Sequence, residues 1–342
     1  MTKPPLIRFK DSQIELAHGA GGKASRRLVE GLIAPILGNP SLDDAALLSL
    51  GGAGLAFTAD SFVVKPLRFP GGSIGELAVN GTVNDLAVSG AQPVALLSTL
   101  ILEAGLSVQV LQAELEAIQQ AAQTAGVQVV GGDTKVVEHG KADGLYISTS
   151  GVGLVDPRVR LSAASVRPGD QVLLSGPIGD HGITILLARG ELDLEADLKS
   201  DTRSVWPFVQ ALITAAAPGL RWMRDPTRGG VATALNELAR DTRLAIRLLE
   251  ERVPIRDEVR GACEILGLDP LHIANEGQFL AIVAPEYAEA ALEAVQAVPG
   301  GAEARLVGEV VESPAGVVYS ATGYSSSRVV DMLVGDPLPR IC

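Results

Sequence analysis

The sequence predicts an α/β (α+β) protein of two domains, and three observations carry that expectation. The chain has 342 residues, enough for about two domains at roughly 150 residues each. Apolar residues make up 47% and charged residues 20%, so a core is available and the chain is too weakly charged to stay disordered. Strand-like and helix-like runs also alternate through both halves. Only 4% of residues are aromatic and 38 are glycine, so packing must rely on Ala, Val, Leu and Ile with frequent bends at glycine.

Residues 1–40 form a Gly-marked lead-in, with a helix-like stretch at 26–37. The first domain is expected at 41–155. It reads as a strand at 54–64, a helix at 74–89, a strand at 93–102, an amphipathic helix at 108–125, a short strand at 127–130 and another strand at 145–155. The texture then turns to Pro, Arg and Ser around 156–170, where the boundary is placed. The second domain, 165–320, repeats the style. Strands are expected at 171–175, 279–283 and 304–311, and helices at 181–188, 204–217, 230–240 and 287–298. Residues 321–342, rich in Gly, Ser and Pro, read as a flexible tail, of which ~15 residues could reach roughly 50 Å at ~3.3 Å per residue.

Lys plus Arg number 28 and Asp plus Glu 40, a net charge of −12 that disfavours nucleic acid as a partner. The longest nearly apolar stretches, such as 45–57, fall short of the ~20 residues a membrane span needs. The start, Met1-Thr2-Lys3-Pro4-Pro5, offers no apolar run typical of a signal peptide, so a cytoplasmic protein is expected. Two cysteines, Cys263 and Cys342, and four scattered histidines supply neither a disulfide framework nor a zinc site.

Aspartates recur beside turn residues: Asp43-Asp44, Asp60 after a strand, Asp85 in Asn84-Asp85-Leu86, and Asp133 in Gly131-Gly132-Asp133-Thr134-Lys135. Each alone reads as a solvated loop residue. Asp85, however, shares a helical stripe with Ile74, Ala78 and Gly81, where a carboxylate needs a partner. Carboxylates at the ends of neighbouring elements suit Mg²⁺ with a nucleotide. The run His18-Gly19-Ala20-Gly21-Gly22-Lys23 is either a phosphate-cradling loop or a linker, and it lacks the Walker A spacing. Asp225-Pro226-Thr227-Arg228-Gly229-Gly230 is either an anion-binding helix start or an ordinary turn. Glu276 is either a base or an exposed turn glutamate. Cys342, the last residue, reads as an exposed thiol on a swinging arm, and Cys263 as a small buried hydrophobe.

With these motifs together, the chain closely resembles the HypE family of hydrogenase expression/formation proteins. These are carbamoyl dehydratases of the superfamily that includes aminoimidazole ribonucleotide synthetase. The resemblance spans HGAGG at 18–22, DDAA at 43–46, ADSFVVKPLRFPGG at 59–72, GTVNDLAVSGA at 81–91, GGDTKVV at 131–137, SGPIGDHG at 175–182, DPTRGG at 225–230, ANEG at 274–277 and PRIC at 339–342. The PRIC ending separates this family from its relatives. The resemblance implies a two-domain aminoimidazole ribonucleotide synthetase-like fold that dimerises through the N-terminal sheet. It implies ATP-dependent dehydration of a carbamoyl group on the Cys342 thiol to a thiocyanate, for the iron of [NiFe] hydrogenase.

By the same resemblance, Asp43, Asp44, Asp60, Asp85 and Asp133 hold Mg²⁺ with ATP. Nucleotide contacts fall to Gly19, Gly21, Gly22, Lys23, Asp60, Asn84 and Thr134 of the first half. In the second half they fall to Asp225, Arg228, Gly229 and Gly230. Lys135 stabilises charge near the carboxamide and Glu276 is the candidate base, roles that are exchangeable, with Asp85 also in the catalytic set. The transferase HypF is the implied carbamoyl donor and the HypC–HypD complex the cyanide acceptor. Two alternatives stand beside this reading: another ATP-dependent enzyme of the superfamily, of kinase or synthetase type, and a non-catalytic thiol carrier.

Overall fold

The computed structural model describes residues 9–19, 21–38, 43–190, 196–321, 326–335, 338 and 340–342. The N-terminal stretch read for a signal peptide, Ala20 of the glycine run, residues 322–325, and Asp336, Pro337 and Pro339 of the tail lie outside them.

A helical stretch opens the described chain: α1 (Gly22–Leu28), a π-helical turn (Val29–Ile33) and α2 (Ala34–Leu37). The first sheet follows. It is built from β1 (Ala46–Leu50) and β2 (Ala53–Phe62), a short ribbon of β3 (Arg68–Phe69) and β4 (Gly72–Ser73) lying apart, then β5 (Ala91–Glu103), β6 (Gln128–Val137) and β7 (Leu145–Val155). The strand order is β1-β2-β7-β5-β6, antiparallel except where β6 runs parallel to β5. Strand alternation explains which residues can share a site. In β2, Ala56 and Phe62 are buried with Thr58 and Asp60 between them on the same face, whereas Phe57, Ala59 and Ser61 point to the opposite, exposed face.

Helices α3 (Ile74–Val88) and α4 (Val108–Ala125) follow β4 and β5. Ser107 caps α4 by accepting from Gln109 N, and Gly126 ends it in the left-handed conformation. In α3 all residues but Glu76 and Asp85 are buried, because the helix is enclosed by the sheet on one side and the second domain on the other. Gly81 permits the close approach to β2: a Cβ there would lie 2.8 Å from the Phe62 ring.

The second domain has a seven-stranded sheet of order β14-β13-β10-β12-β8-β11-β9. Its strands are β8 (Gln171–Leu174), β9 (Leu220–Arg224), β10 (Ala245–Leu249), β11 (Leu280–Val283), β12 (Arg305–Val311), β13 (Val318–Ala321) and β14 (Ser327–Val329). Helices α5 (Asp180–Ala188), α6 (Trp206–Ala216), α7 (Gly230–Thr242), α8 (Asp257–Leu266) and α9 (Pro285–Gln296) complete it. Val231, Leu235 and Leu238 of α7 pack on one face of the sheet, and Phe208, Leu212 and Val295 of α6 and α9 on the other. A third cluster joins the two domains. Phe62, Ile74, Leu77, Val83 and Ile147 meet Ile183, Val259 and Ile273, and the last two residues, Ile341 and Cys342, sit among them.

That placement corrects the expected flexible tail. Ser327–Val329 is the edge strand of the second sheet, and Val330, Met332, Leu338 and Ile341 are all buried. The chain end is therefore held by apolar burial as well as by backbone bonds. Among the described residues, no helix is long and apolar enough to cross a membrane.

Candidate active site

Cys342 is docked rather than swinging. Its Sγ lies 2.8 Å from the Arg228 Nε donor, and Val63 N donates to its carbonyl at 3.0 Å. His181, fully buried, places Nε2 2.6 Å from the Ile341 carbonyl oxygen, and Arg189 Nη2 donates to the Arg340 carbonyl at 2.8 Å. Arg340 in turn pairs with Asp143. The chain end is thus gripped through the backbone oxygens of its last three residues, leaving the thiol as the group presented to the site. Burial pushes that thiol up to about 12, with Arg228 opposing and Glu276 and Asp60 reinforcing the shift. Burial thus favours the neutral thiol over the thiolate.

Glu276, in the loop before β11, is 4% exposed, and its Oε1 has no hydrogen-bond partner among the described residues. Burial, then the nearby Asp60, Asp225 and Asp201, hold its carboxyl well above the usual range, while Arg228 pulls the other way. Next to it stands a carboxylate cluster: oxygens of Asp44, Asp85 and Asp225 lie within 4.8 Å of one another. Each comes from a different place, Asp44 from the turn before β1, Asp85 from the last turn of α3 and Asp225 from the end of β9. Thr58 Oγ1 ties two of them, 2.7 Å from Asp85 Oδ2 and 2.8 Å from the Asp44 carbonyl. Arg224 Nε is 3.0 Å from Asp44 Oδ1. Asp85 and Asp225 are both raised well above the ordinary carboxylate value, by burial first and then by neighbouring acids, Asp225 and Asp44 for Asp85 and Asp44 for Asp225. Three acids at this spacing, Asp225 buried and Asp44 and Asp85 half-buried, with one arginine beside them are short of positive charge. That donor set fits a hard divalent cation such as Mg²⁺, which takes carboxylate oxygens and keeps water and phosphate for the rest.

A cavity of about 440 Å³ opens beside the cluster, lined by Gly21, Gly22, Asp43, Asp44, Asp225, Thr227, Arg228, Gly230 and Thr233 among others. The N-terminus of α7 faces it, with Gly229 as N-cap at φ 77°. Thr233 Oγ1 is buried there without a partner among the described residues.

Two regions of the chain match the AIR synthase related protein descriptions, the N-terminal domain over residues 42–155 and the C-terminal domain over 167–320. The chain is 49% identical to the carbamoyl dehydratase HypE of Azotobacter vinelandii, across 98% of this chain and 99% of that one. The chain belongs to the HypE family of carbamoyl dehydratases. Solved HypE structures have the same fold. One in complex with ATP superposes with TM-score 0.81 at 43% identity, covering 96% of this chain and 99% of that one. A HypE–HypF complex gives 0.85 at 41%, covering 90% and 99%.

Against the HypE-like expectations, the structure gathers Asp44, Asp60, Asp85, Asp225, Arg228, Glu276 and Cys342 into one neighbourhood. Asp225, expected at the nucleotide, joins the metal-type cluster, and Asp43 lines the cavity. Asp133, Thr134 and Lys135 are elsewhere. Asp60 aligns across the sheet with Thr149, Ser98 and Gly132, which puts β6 three strands, roughly 14 Å, away. Asp133 and Lys135 also share the face opposite Asp60 and pair with each other. Two residues expected at the nucleotide have other partners in the structure. Asn84 is consumed by backbone, its Nδ2 donating to Arg203 O and Glu276 O and its Oδ1 accepting from Val205 N. Lys23 pairs with Asp331 at 2.6 Å, and the N–H groups of Lys23 and Ala24 donate to the Leu333 and Val334 carbonyls. Gly19 contributes its carbonyl to Arg228 Nη1 at 3.1 Å. Cys342, expected exposed, is 7% exposed, while Cys263 is buried on α8 as expected. Sequence reading missed Thr58, His181 and Asp201. His181 stood in the quoted SGPIGDHG motif, but nothing in a sequence tells that its ring meets the chain end.

Proposed function

We propose that this chain dehydrates a carbamoyl group carried on its own Cys342 thiol, consuming ATP and leaving a thiocyanate. The observation that carries the reading is the meeting of Cys342, Glu276 and the Asp44–Asp85–Asp225 cluster at one junction of the two domains. On this account the carboxamide oxygen takes the γ-phosphoryl group of ATP, releasing ADP and one N–H proton. The C–O bond then breaks, phosphate departs, and loss of the second N–H proton completes the C≡N bond. An amide oxygen leaves poorly and a phosphate leaves well, which is why ATP is needed. Glu276 is the proposed base, within the group of residues that surrounds the sulfur. Its raised carboxyl moves in the direction required of a group that exchanges protons near neutral pH. Asp44, Asp85 and Asp225 would hold Mg²⁺, which neutralises polyphosphate charge when bound. Arg228 and the α7 N-terminus, with Gly229 and Gly230, would face the phosphates.

The same reading extends to partners. HypF is the proposed carbamoyl donor, since a related HypE is known in complex with HypF, and a HypC–HypD complex is the proposed acceptor in the cytoplasm. A homodimer is proposed through the open face of the first sheet, which exposes Leu48, Leu50, Phe57, Leu97 and Leu154. Asp133 and Lys135 lie on that face, so the role proposed for Lys135 at the carboxamide requires an approach from outside this protomer. Domain limits of 41–155 and 165–320 are part of the proposal.

Glu276→Gln tests the chemistry. The variant keeps size and hydrogen-bonding reach but takes up no proton at neutral pH. It should accept the carbamoyl group and bind ATP, then form thiocyanate ~10²–10⁴-fold more slowly. Thiocyanate formation at the normal rate would move the base to another carboxylate.

A further inference from the structure

The segment 199–203, between α5 and α6, carries no motif, yet it lies against both domains. Ser200 N donates to Pro70 O at 2.9 Å, and Ser200 Oγ is 2.8 Å from His181 Nδ1. Asn80 Nδ2 donates to Thr202 Oγ1 at 3.4 Å. Between them, Asp201 turns its carboxylate to the loop that carries Glu276. Oδ1 accepts from Glu276 N at 3.0 Å, and Oδ2 accepts from Gly277 N at 3.1 Å. The approach is tight enough that a Cβ on Gly277 would lie 1.8 Å from the Asp201 carbonyl oxygen.

The carbonyl end of Glu276 is held as well, by Asn84 Nδ2 at 3.0 Å. Arg203 Nε donates to Gly277 O at 2.9 Å, with its guanidinium 4.4 Å over the Phe208 ring. Asn275, one residue earlier, is tied to Pro226 O through Nδ2 at 2.9 Å and accepts from Gly179 N at 2.7 Å. The backbone groups around Glu276 are thus fixed by the 199–203 segment, by α3 and by the loop after β9, while the Glu276 Oε1 has no hydrogen-bond partner among the described residues. This is the arrangement of a side chain aimed by its backbone rather than by its own hydrogen bonds.

We propose that Asp201 is a positioning residue for Glu276: its carboxylate locks two successive N–H groups and so fixes where the Glu276 carboxyl stands relative to the Cys342 sulfur. The inference rests on the reading of Glu276 as the base. Charge-assisted bonds to backbone N–H groups are stronger and more directional than neutral ones. Misplacing a reacting group by about 1 Å costs roughly 10²-fold in rate. Asparagine at 201 would turn one acceptor into an NH₂ facing an N–H, so one bond is lost and the loop shifts.

The test is a double-mutant cycle on the full-length protein, carbamoylated beforehand. Thiocyanate formation is followed by intact mass for wild type, D201N, E276Q and the D201N/E276Q pair. D201N should form thiocyanate about 10–100-fold more slowly, with the KM for ATP within about 2-fold of wild type. The double variant should be no slower than E276Q alone, within about 2-fold, because Asp201 acts through Glu276. A normal D201N beside a stalled E276Q, or losses that multiply in the pair, would overturn the inference while leaving the base assignment standing. An E276Q protein with normal turnover would overturn both. Should thermal melting show D201N unfolded, D201E carries the same cycle, since it keeps both acceptor oxygens and displaces them by one methylene.

Discussion

Asp85 stands where Thr58, Asp44 and Asp225 converge, and burial with that company lifts its carboxyl well above the ordinary value. Such a group binds a cation by giving up a proton and is costly to ionise without one. Asp85→Asn therefore removes cation affinity while leaving the shape. We expect ATP turnover to fall on the order of 10²-fold with no loss of thermal stability. An Asp85→Asn protein with normal turnover, measured by phosphate release on the carbamoylated form, contradicts the cluster's role. At this scale the sequence was informative where a carboxylate occupied an apolar stripe, as Asp85 did. It singled out the Cys342 thiol but placed it in solvent, because a position at the end of a chain says nothing of what the end packs against.

The tail is the element whose behaviour differs most from its composition. Glycine, serine and proline suggested a loose arm, yet Ile341 is buried among residues of both domains and its carbonyl meets His181. Burial lowers His181 from 6.5 to about 4, with the bond to Ile341 O opposing. The sign follows from linkage. A histidine depressed in the folded state takes its proton first when undocked or unfolded, so its contribution is complete above about 6.5 and fades as pH falls toward about 4. His181→Asn has no proton to gain. The stability gap between wild type and H181N should narrow from pH 7 to pH 4.5, by up to about 3 kcal/mol for the full shift. A gap in melting temperature that stays constant over that range counts against a neutral, docked His181. Strand β6 offers the converse lesson. Only 127–130 read as a strand, but Gln128–Val137 is one, because Asp133 and Lys135 alternate outward on a face without a helix to cover it. The strap at 199–203 was illegible for a different reason: its bonds reach residues far off in sequence, to Pro70, His181 and Glu276.

Across the whole molecule, two sheets enclose α3 and share a core that the chain end completes, so the two-domain α/β class was readable from periodicity while the junction was not. One sheet face stays open. Leu48, Leu50, Phe57, Leu97 and Leu154 are exposed on it, an apolar surface larger than isolated side chains account for. Light scattering should report a dimer at micromolar concentration, and Phe57→Asp should shift it to monomer. A monomeric wild type contradicts the proposed pairing. The central claim, that the docked Cys342 carries the carbamoyl group through dehydration, is tested most directly by intact mass of the protein after exposure to the HypF donor system. Wild type should gain one carbamoyl group at Cys342 without ATP, then lose the mass of one water when ATP is added, and Cys342→Ala should gain nothing. Carbamoyl mass on the Cys342→Ala protein, or a wild-type adduct that ATP leaves unchanged, would contradict it.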